Sequence, residues 1–90
     1  MVINVRIKGR VQGVGYRYWV ANRADALGLD GWVRNRRDGS VEAVFSGLPD
    51  ALQEMLKSCY KGPTMARVTS VTECPSDDVV ETGFQTRQTG

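Results

Sequence analysis

The sequence predicts an α+β fold in which two helices cover one face of a four-stranded antiparallel sheet. Four segments favour strands, two of them with apolar residues at alternate positions and the fourth with weaker alternation, and two others repeat apolar residues at helical spacing. Their order along the chain is βαββαβ. Ninety residues, 41% of them hydrophobic, are enough for one core, so we expect a single domain over residues 1–90.

The first half of the chain supplies a strand, a helix and a hairpin. Apolar residues alternate over 2–8, and after a glycine-rich segment they recur at helical spacing over 16–27. Residues 32–36 and 41–45 predict two further strands. Asp38-Gly39 between them is typical of a tight hairpin turn.

The second half supplies a helix and a strand. The helix is expected to begin at Pro49 and to end before Gly62, because proline favours the first helical turn and glycine the position after the last. Residues 66–73 predict a fourth strand, and a short extra strand is expected around Phe84. The predicted buried stripe of the helix comprises Leu48, Leu52, Met55, Leu56 and Cys59.

The βαββαβ order is that of the ferredoxin-like, or split βαβ, arrangement, and it predicts where polar residues meet. A helix joins the first two strands, so these should run parallel and end at the same edge of the sheet. The glycine-rich segment leaves the end of the first strand, and Asn35 lies near the end of the second. The same topology places Cys59 and Cys74 near opposite edges, so we predict no disulfide between them.

Composition excludes several classes of protein. A net charge of +2 and a pI near 8.7 are too weak to indicate nucleic acid. The third strand also lacks the basic and aromatic pattern with which related folds stack RNA bases. No segment has the length of a membrane span or the pattern of a signal peptide, so we expect a cytoplasmic protein without membrane or nucleic-acid partners.

Several catalytic mechanisms lack their residues. The chain has no histidine, which excludes serine and cysteine triads that depend on one. Its carboxylates are scattered, so no metal site is expected. The glycine-rich segment lacks the Lys-Ser/Thr ending of a Walker A loop, and Tyr18 replaces the third glycine of a dinucleotide-binding fingerprint.

The segment Gly9 to Arg17, GRVQGVGYR, is suited to binding a small oxyanion such as phosphate. Three glycines let the backbone turn its N–H groups inward, and the following helix start adds further free N–H groups. Arg17 supplies a planar fork of donors, and the amide of Asn35 is able to hold a water molecule. The residues alone favour hydrolysis of an activated phosphate, or anion binding without chemistry.

The same segment resembles the signature of the acylphosphatase family. The residues from Gly31 to Asn35, GWVRN, followed by Asp38 to Glu42, DGSVE, resemble its second signature. Similarity continues in Leu27-Gly28-Leu29 and around Gly62-Pro63, and extends from Val2 to about Phe84.

The resemblance implies a metal- and cofactor-independent hydrolase that cleaves acyl phosphates into a carboxylate and inorganic phosphate. It assigns phosphate binding to Arg17 and orientation of the attacking water to Asn35. The expected substrate is a small molecule, with inorganic phosphate as product and competitive inhibitor, and the expected enzyme is a monomer. A non-catalytic anion-binding or interaction module on the same fold is the alternative. The residues expected to bind phosphate are Val11, Gln12, Gly13, Val14, Gly15, Tyr16 and Arg17.

The chain departs mildly from the family pattern at two places. Tyr16 stands where the family often has phenylalanine, and its hydroxyl is able to add a hydrogen bond. The polar residues 85–89 are unusual for a well-buried last strand.

Overall fold

The computed structural model describes residues 1–90 and contains one mixed sheet with two helices. The strand order is β4-β1-β3-β2-β5; all neighbours are antiparallel except β2 and β5, which are parallel. This confirms the predicted ferredoxin-like order and the short fifth strand. The elements are β1 (Val2–Arg10), α1 (Tyr16–Ala26), β2 (Asp30–Asn35), β3 (Val41–Ser46), α2 (Pro49–Lys61), β4 (Arg67–Pro75) and β5 (Phe84–Thr86).

Both helices pack on one face of the sheet and bury the core there. Alternation along β1 places Ile3, Val5 and Ile7 in that core, and β3 contributes its odd-numbered residues in the same way. Tyr16, Val20 and Ala24 are the buried residues of α1. Neither helix is long and apolar enough to cross a membrane.

The first strand is longer than the sequence predicts. Gly9 and Arg10 were expected in the glycine-rich loop, but they pair with Val68 and Arg67 of β4 after a shift of register beyond Lys8. Pairing with a neighbouring strand therefore extends β1 by two residues. The loop itself comprises residues 11–15.

Two apolar residues lie outside the core beneath the helices. Leu48 was predicted on the buried face of α2, and this is wrong, since it is 77% exposed. It precedes the helix in an extended conformation and contributes its carbonyl, which accepts from the Leu52 N–H. Trp32 is buried, but it is paired with Val44 on the face of the sheet that the helices leave uncovered.

The two cysteines are free, in agreement with the prediction that the topology separates them. Cys59 is buried in α2, and its carbonyl bonds to Tyr16 beyond the end of β1. Cys74 is exposed in β4 and pairs with Asn4 near the start of β1. Burial raises the pKa of the Cys59 thiol to about 12, so it remains a neutral apolar group.

Candidate functional site

A cavity of about 410 Å³ lies at the edge of the sheet where β1 and β2 end. β3 lies between these two strands and runs antiparallel to both, so β1 and β2 run in the same direction. The loop after β1 and the last residue of β2 therefore meet. The lining residues are Val11, Gly13, Gly15, Tyr16, Arg17, Tyr18, Asn35 and Thr86.

The loop presents free backbone donors. None of the N–H groups from Val11 to Gly15 donates to another backbone group. Gly13 and Gly15 have φ values of 73° and 77°, a region that residues with a Cβ rarely adopt. Apart from the glycine itself and its two neighbours in the chain, no residue has an atom within 4 Å of the place where a Cβ would stand at either glycine. A ligand thus has direct access to the backbone.

The start of α1 is left open to an anion. Its N-cap residue is Gly15, which has no side chain to bond the free N–H groups of the first turn. No acidic residue lies in that turn either. The partial positive charge of the helix start is therefore unpartnered by protein groups and adjoins the cavity.

Arg17 lines the cavity and is held from the C-terminal segment. Its guanidinium donates to the carbonyl of Arg87 at 3.2 Å, just after β5. The N–H of Arg87 in turn donates to Val33 of β2 at 2.8 Å. No sequence pattern predicted this contact or the neighbouring Thr86, because only the parallel pairing of β5 with β2 brings them here.

Asn35 ends β2 and carries an unused acceptor. Its side-chain Oδ1 is buried and has no hydrogen-bond partner in the protein. Buried polar atoms are nearly always paired, so an isolated acceptor in a cavity indicates a place for a ligand or water. The backbone of Asn35 is held, since its carbonyl accepts from the Gly90 N–H at 3.0 Å.

Gln12 acts through its side chain on the hairpin rather than on the cavity. Its Nε2 donates to the carbonyls of Arg36 and Ser40 at 2.7 and 2.9 Å. These two residues flank the β2–β3 turn, which follows directly after Asn35. Gln12 therefore fixes the loop against the hairpin, while Val14 packs against the core. Neither residue is among those that line the cavity.

Tyr16 connects the start of α1 to the end of α2. Its ring is 1% exposed, and its hydroxyl donates to the carbonyl of Cys59 at 2.6 Å. That carbonyl belongs to the last turn of α2, where helical partners are lacking. Burial raises the pKa of Tyr16, so the phenol stays neutral. Tyr18, by contrast, is exposed at the rim of the cavity.

The residues around the cavity suit an oxyanion better than a metal ion. No group of three or more histidine, cysteine, aspartate or glutamate side chains lies together in the chain. The donors include backbone N–H groups and the guanidinium of Arg17, and no lining side chain is acidic. Such a site binds an oxyanion through fixed dipoles and a fork of charged hydrogen bonds.

The chain is similar in sequence and in structure to proteins named as acylphosphatases. The family model described as Acylphosphatase matches residues 3–86. An acylphosphatase of Bradyrhizobium diazoefficiens is 59% identical over 71 residues, covering 79% of this chain and 72% of the relative. One from Acidiphilium cryptum is 48% identical over 84 residues, covering 93% and 92%. The crystal structure of acylphosphatase from Bacillus subtilis superposes with a TM-score of 0.90 at 36% identity, covering 97% and 99%.

Proposed function

The chain belongs to the acylphosphatase family, and from this premise we propose how its residues hydrolyse acyl phosphates. The reaction cleaves the bond between a carboxyl group and a phosphate, and yields a carboxylate and inorganic phosphate. The alternative of a non-catalytic binding module is not favoured, because relatives named as the enzyme match across most of the chain.

In the proposed complex, the phosphate lies in the loop between β1 and α1. The free N–H groups from Val11 to Gly15 and the start of α1 surround its oxygens. Arg17 pairs with two of these oxygens and balances their charge. Because the donors are held before substrate arrives, little reorganisation accompanies the reaction.

The observation that carries the mechanism is the buried, unpartnered Oδ1 of Asn35 in the same cavity. We propose that this oxygen accepts a hydrogen bond from the attacking water and so orients it. The water oxygen forms a bond to phosphorus as the bond from phosphorus to the acyl oxygen breaks. The acyl oxygen leaves with the electron pair as a carboxylate, which needs no general acid. One proton of the water moves to a phosphate oxygen of the substrate, and the other stays on the oxygen that is now bonded to phosphorus.

Several properties follow from this assignment. Inorganic phosphate occupies the same loop, so we expect it to inhibit competitively. No step uses a metal or a cofactor, so chelators should not affect turnover. Every group assigned to the site belongs to one chain, so the proposal includes a monomeric enzyme, and we retain the expectation that it acts in the cytoplasm.

The test is hydrolysis of benzoyl phosphate in the presence of EDTA, comparing the wild type with Asn35→Ala. We expect the wild type to turn over and kcat of the variant to fall by about 100-fold or more, the scale of losing the position of a reacting group. The inhibition constant of inorganic phosphate should change little, because Asn35 is assigned to water.

Two results would contradict the proposal. EDTA could abolish turnover, which would require a metal. Asn35→Ala could instead lose phosphate affinity in proportion to kcat, which would place Asn35 on the phosphate. Circular dichroism of the variant establishes that its fold is intact.

A further inference from the structure

The uncovered face of the sheet carries a second cluster of positive charge, away from the loop. Arg6 of β1 and Arg34 of β2 are paired in register with Glu42 of β3, one on each side of it. Arg36, just beyond β2, also reaches this carboxylate. We call these three arginines and Glu42 the arginine cluster.

Glu42 holds the arginine cluster in place. Its side chain is only 11% exposed, and its Oε1 accepts from Arg34 at 2.9 Å and from Arg36 at 3.3 Å. Its Oε2 accepts from Asn4 at 3.0 Å and lies 3.7 Å from Arg6. The guanidinium groups are therefore fixed before any ligand binds, which lowers the entropy lost on binding.

The carboxylate of Glu42 does not bond to all the arginine N–H groups around it. The Nε of Arg6 is buried and has no hydrogen-bond partner, and the remaining ion pair of Arg6, with Asp38, is 3.9 Å long. Arg37 lies beside the cluster, is exposed and forms no ion pair in the structure. With Arg37 included, the side chains of four arginines face those of Glu42 and Asp38, so these six side chains together carry a net charge of +2.

A cavity of about 380 Å³ opens over these donors. Its volume is in the range of small-molecule sites, and none of its lining residues is hydrophobic. An apolar ligand is therefore excluded. The lining residues are Arg6, Arg36, Arg37, Asp38 and Gly90.

We propose that this cavity is a second anion-binding site, which takes a compact, multiply charged anion of the pyrophosphate class. Guanidinium groups pair with phosphate oxygens through two parallel hydrogen bonds, and three of them surround the space. Two linked phosphate groups supply enough oxygens to reach Arg6 on one side and Arg36 and Arg37 on the other. Single-stranded nucleic acid fits less well, because Trp32 is 8% exposed and its ring lies under Arg34 and Arg87.

The test is calorimetric titration of the full chain with inorganic pyrophosphate at low ionic strength. Arg17→Ala serves as the background, because it weakens the loop site and leaves the arginine cluster unchanged. We expect this background to bind one pyrophosphate, with an affinity that falls as salt is added. NMR shifts should then be largest at the Nε–H groups of Arg6 and Arg36.

Arg37→Ala, added to that background, should weaken binding about tenfold, the size of one lost charged hydrogen bond. Arg37 touches no group of the cluster through an ion pair, so its removal should leave the fold intact. Lys57→Ala on α2 is the matched control for net charge, since its side chain is 77% exposed on the other layer. It should change the affinity by less than about twofold.

Three results would overturn the proposal. The Arg17→Ala background could fail to bind pyrophosphate. Arg37→Ala and Lys57→Ala could weaken binding equally, which would mean that only net charge matters. NMR shifts confined to residues 11–17 and Asn35 would place the anion in the loop instead.

Discussion

Asn35 and Glu42 belong to the same β2–β3 hairpin, but their side-chain oxygens differ in hydrogen bonding. Both oxygens of Glu42 accept hydrogen bonds within the protein, from Asn4, Arg34 and Arg36. The Oδ1 of Asn35 is also buried and accepts none. The carboxylate of Glu42 and the Oδ1 of Asn35 are both buried, so burial does not explain the difference in hydrogen bonding.

The difference separates a structural polar group from one available to a ligand. A buried carboxylate costs several kcal/mol unless donors surround it, and Glu42 has them. Burial raises the pKa of Glu42, but the hydrogen bonds from Asn4 and Arg34 and the charges of Arg34 and Arg6 outweigh burial and lower it overall. At the sheet edge, the free acceptor of Asn35 and the free donors of the loop remain for substrate and water.

The largest effect is expected from Arg17→Ala. We expect kcat/KM for benzoyl phosphate to fall by about 100- to 1,000-fold, since the charged donors on the phosphate are lost. Phosphate inhibition should weaken with it, unlike in Asn35→Ala. Arg17→Lys keeps the charge without the planar fork, so its kcat/KM should lie between those of the wild type and Arg17→Ala. Unchanged phosphate inhibition in Arg17→Ala would remove this residue from the phosphate site.

Glu42→Gln should affect stability rather than catalysis. We expect the free energy of unfolding at pH 7 to fall by about 1–3 kcal/mol, because three arginines lose their carboxylate. The folded pKa of Glu42 is lowered from its ordinary 4.5, so its contribution is present above that pH and is lost as pH falls through the folded pKa. The gap between variant and wild type should therefore close in acid, in urea unfolding measured from pH 7 to pH 3.

Glu54→Gln on α2 is the control for this prediction. Its carboxylate is exposed and lies 3.7 Å from Lys57, so its loss should cost less than about 0.5 kcal/mol. Equal destabilisation by the two changes would contradict the structural role of Glu42. A clear loss of kcat in Glu42→Gln would show that the two regions of the hairpin are not separate in function.

The smallest effect is expected from Gln12→Leu, which acts between the two regions. The side chain joins the loop to the hairpin through two hydrogen bonds, so its loss should cost about 1 kcal/mol of stability. We expect KM for benzoyl phosphate to rise about fivefold as the loop loosens, while Asn35 stays in place. Gln53→Leu on the exposed side of α2 is the control. An unchanged KM in Gln12→Leu would mean that the loop keeps its position without this contact.

Local patterns predicted most of the fold, and two of the candidate residues, Arg17 and Asn35, line the same cavity. Alternation over residues 2–8 and helical spacing over 16–27 depend only on neighbouring residues, and both elements form where they were expected. Element boundaries were less secure: pairing with β4 draws Gly9 and Arg10 into β1. Leu48 shows the limit of a periodicity argument, because the residue before a helix contributes its carbonyl and not a buried side chain.

The sequence by itself determined the element order and the glycine-rich loop, because periodicity and glycine conformation are local properties of a chain. Arg17 and Asn35 were candidates through the resemblance of two motifs and the expected meeting of two strand ends. Only the tertiary structure decided which polar atoms are paired. Strand pairing over long separations places the Arg87 carbonyl on Arg17, brings Asn4 and Arg6 to Glu42 and buries the Asn35 Oδ1 without a partner. These contacts join residues far apart in the chain, so no local pattern carries them.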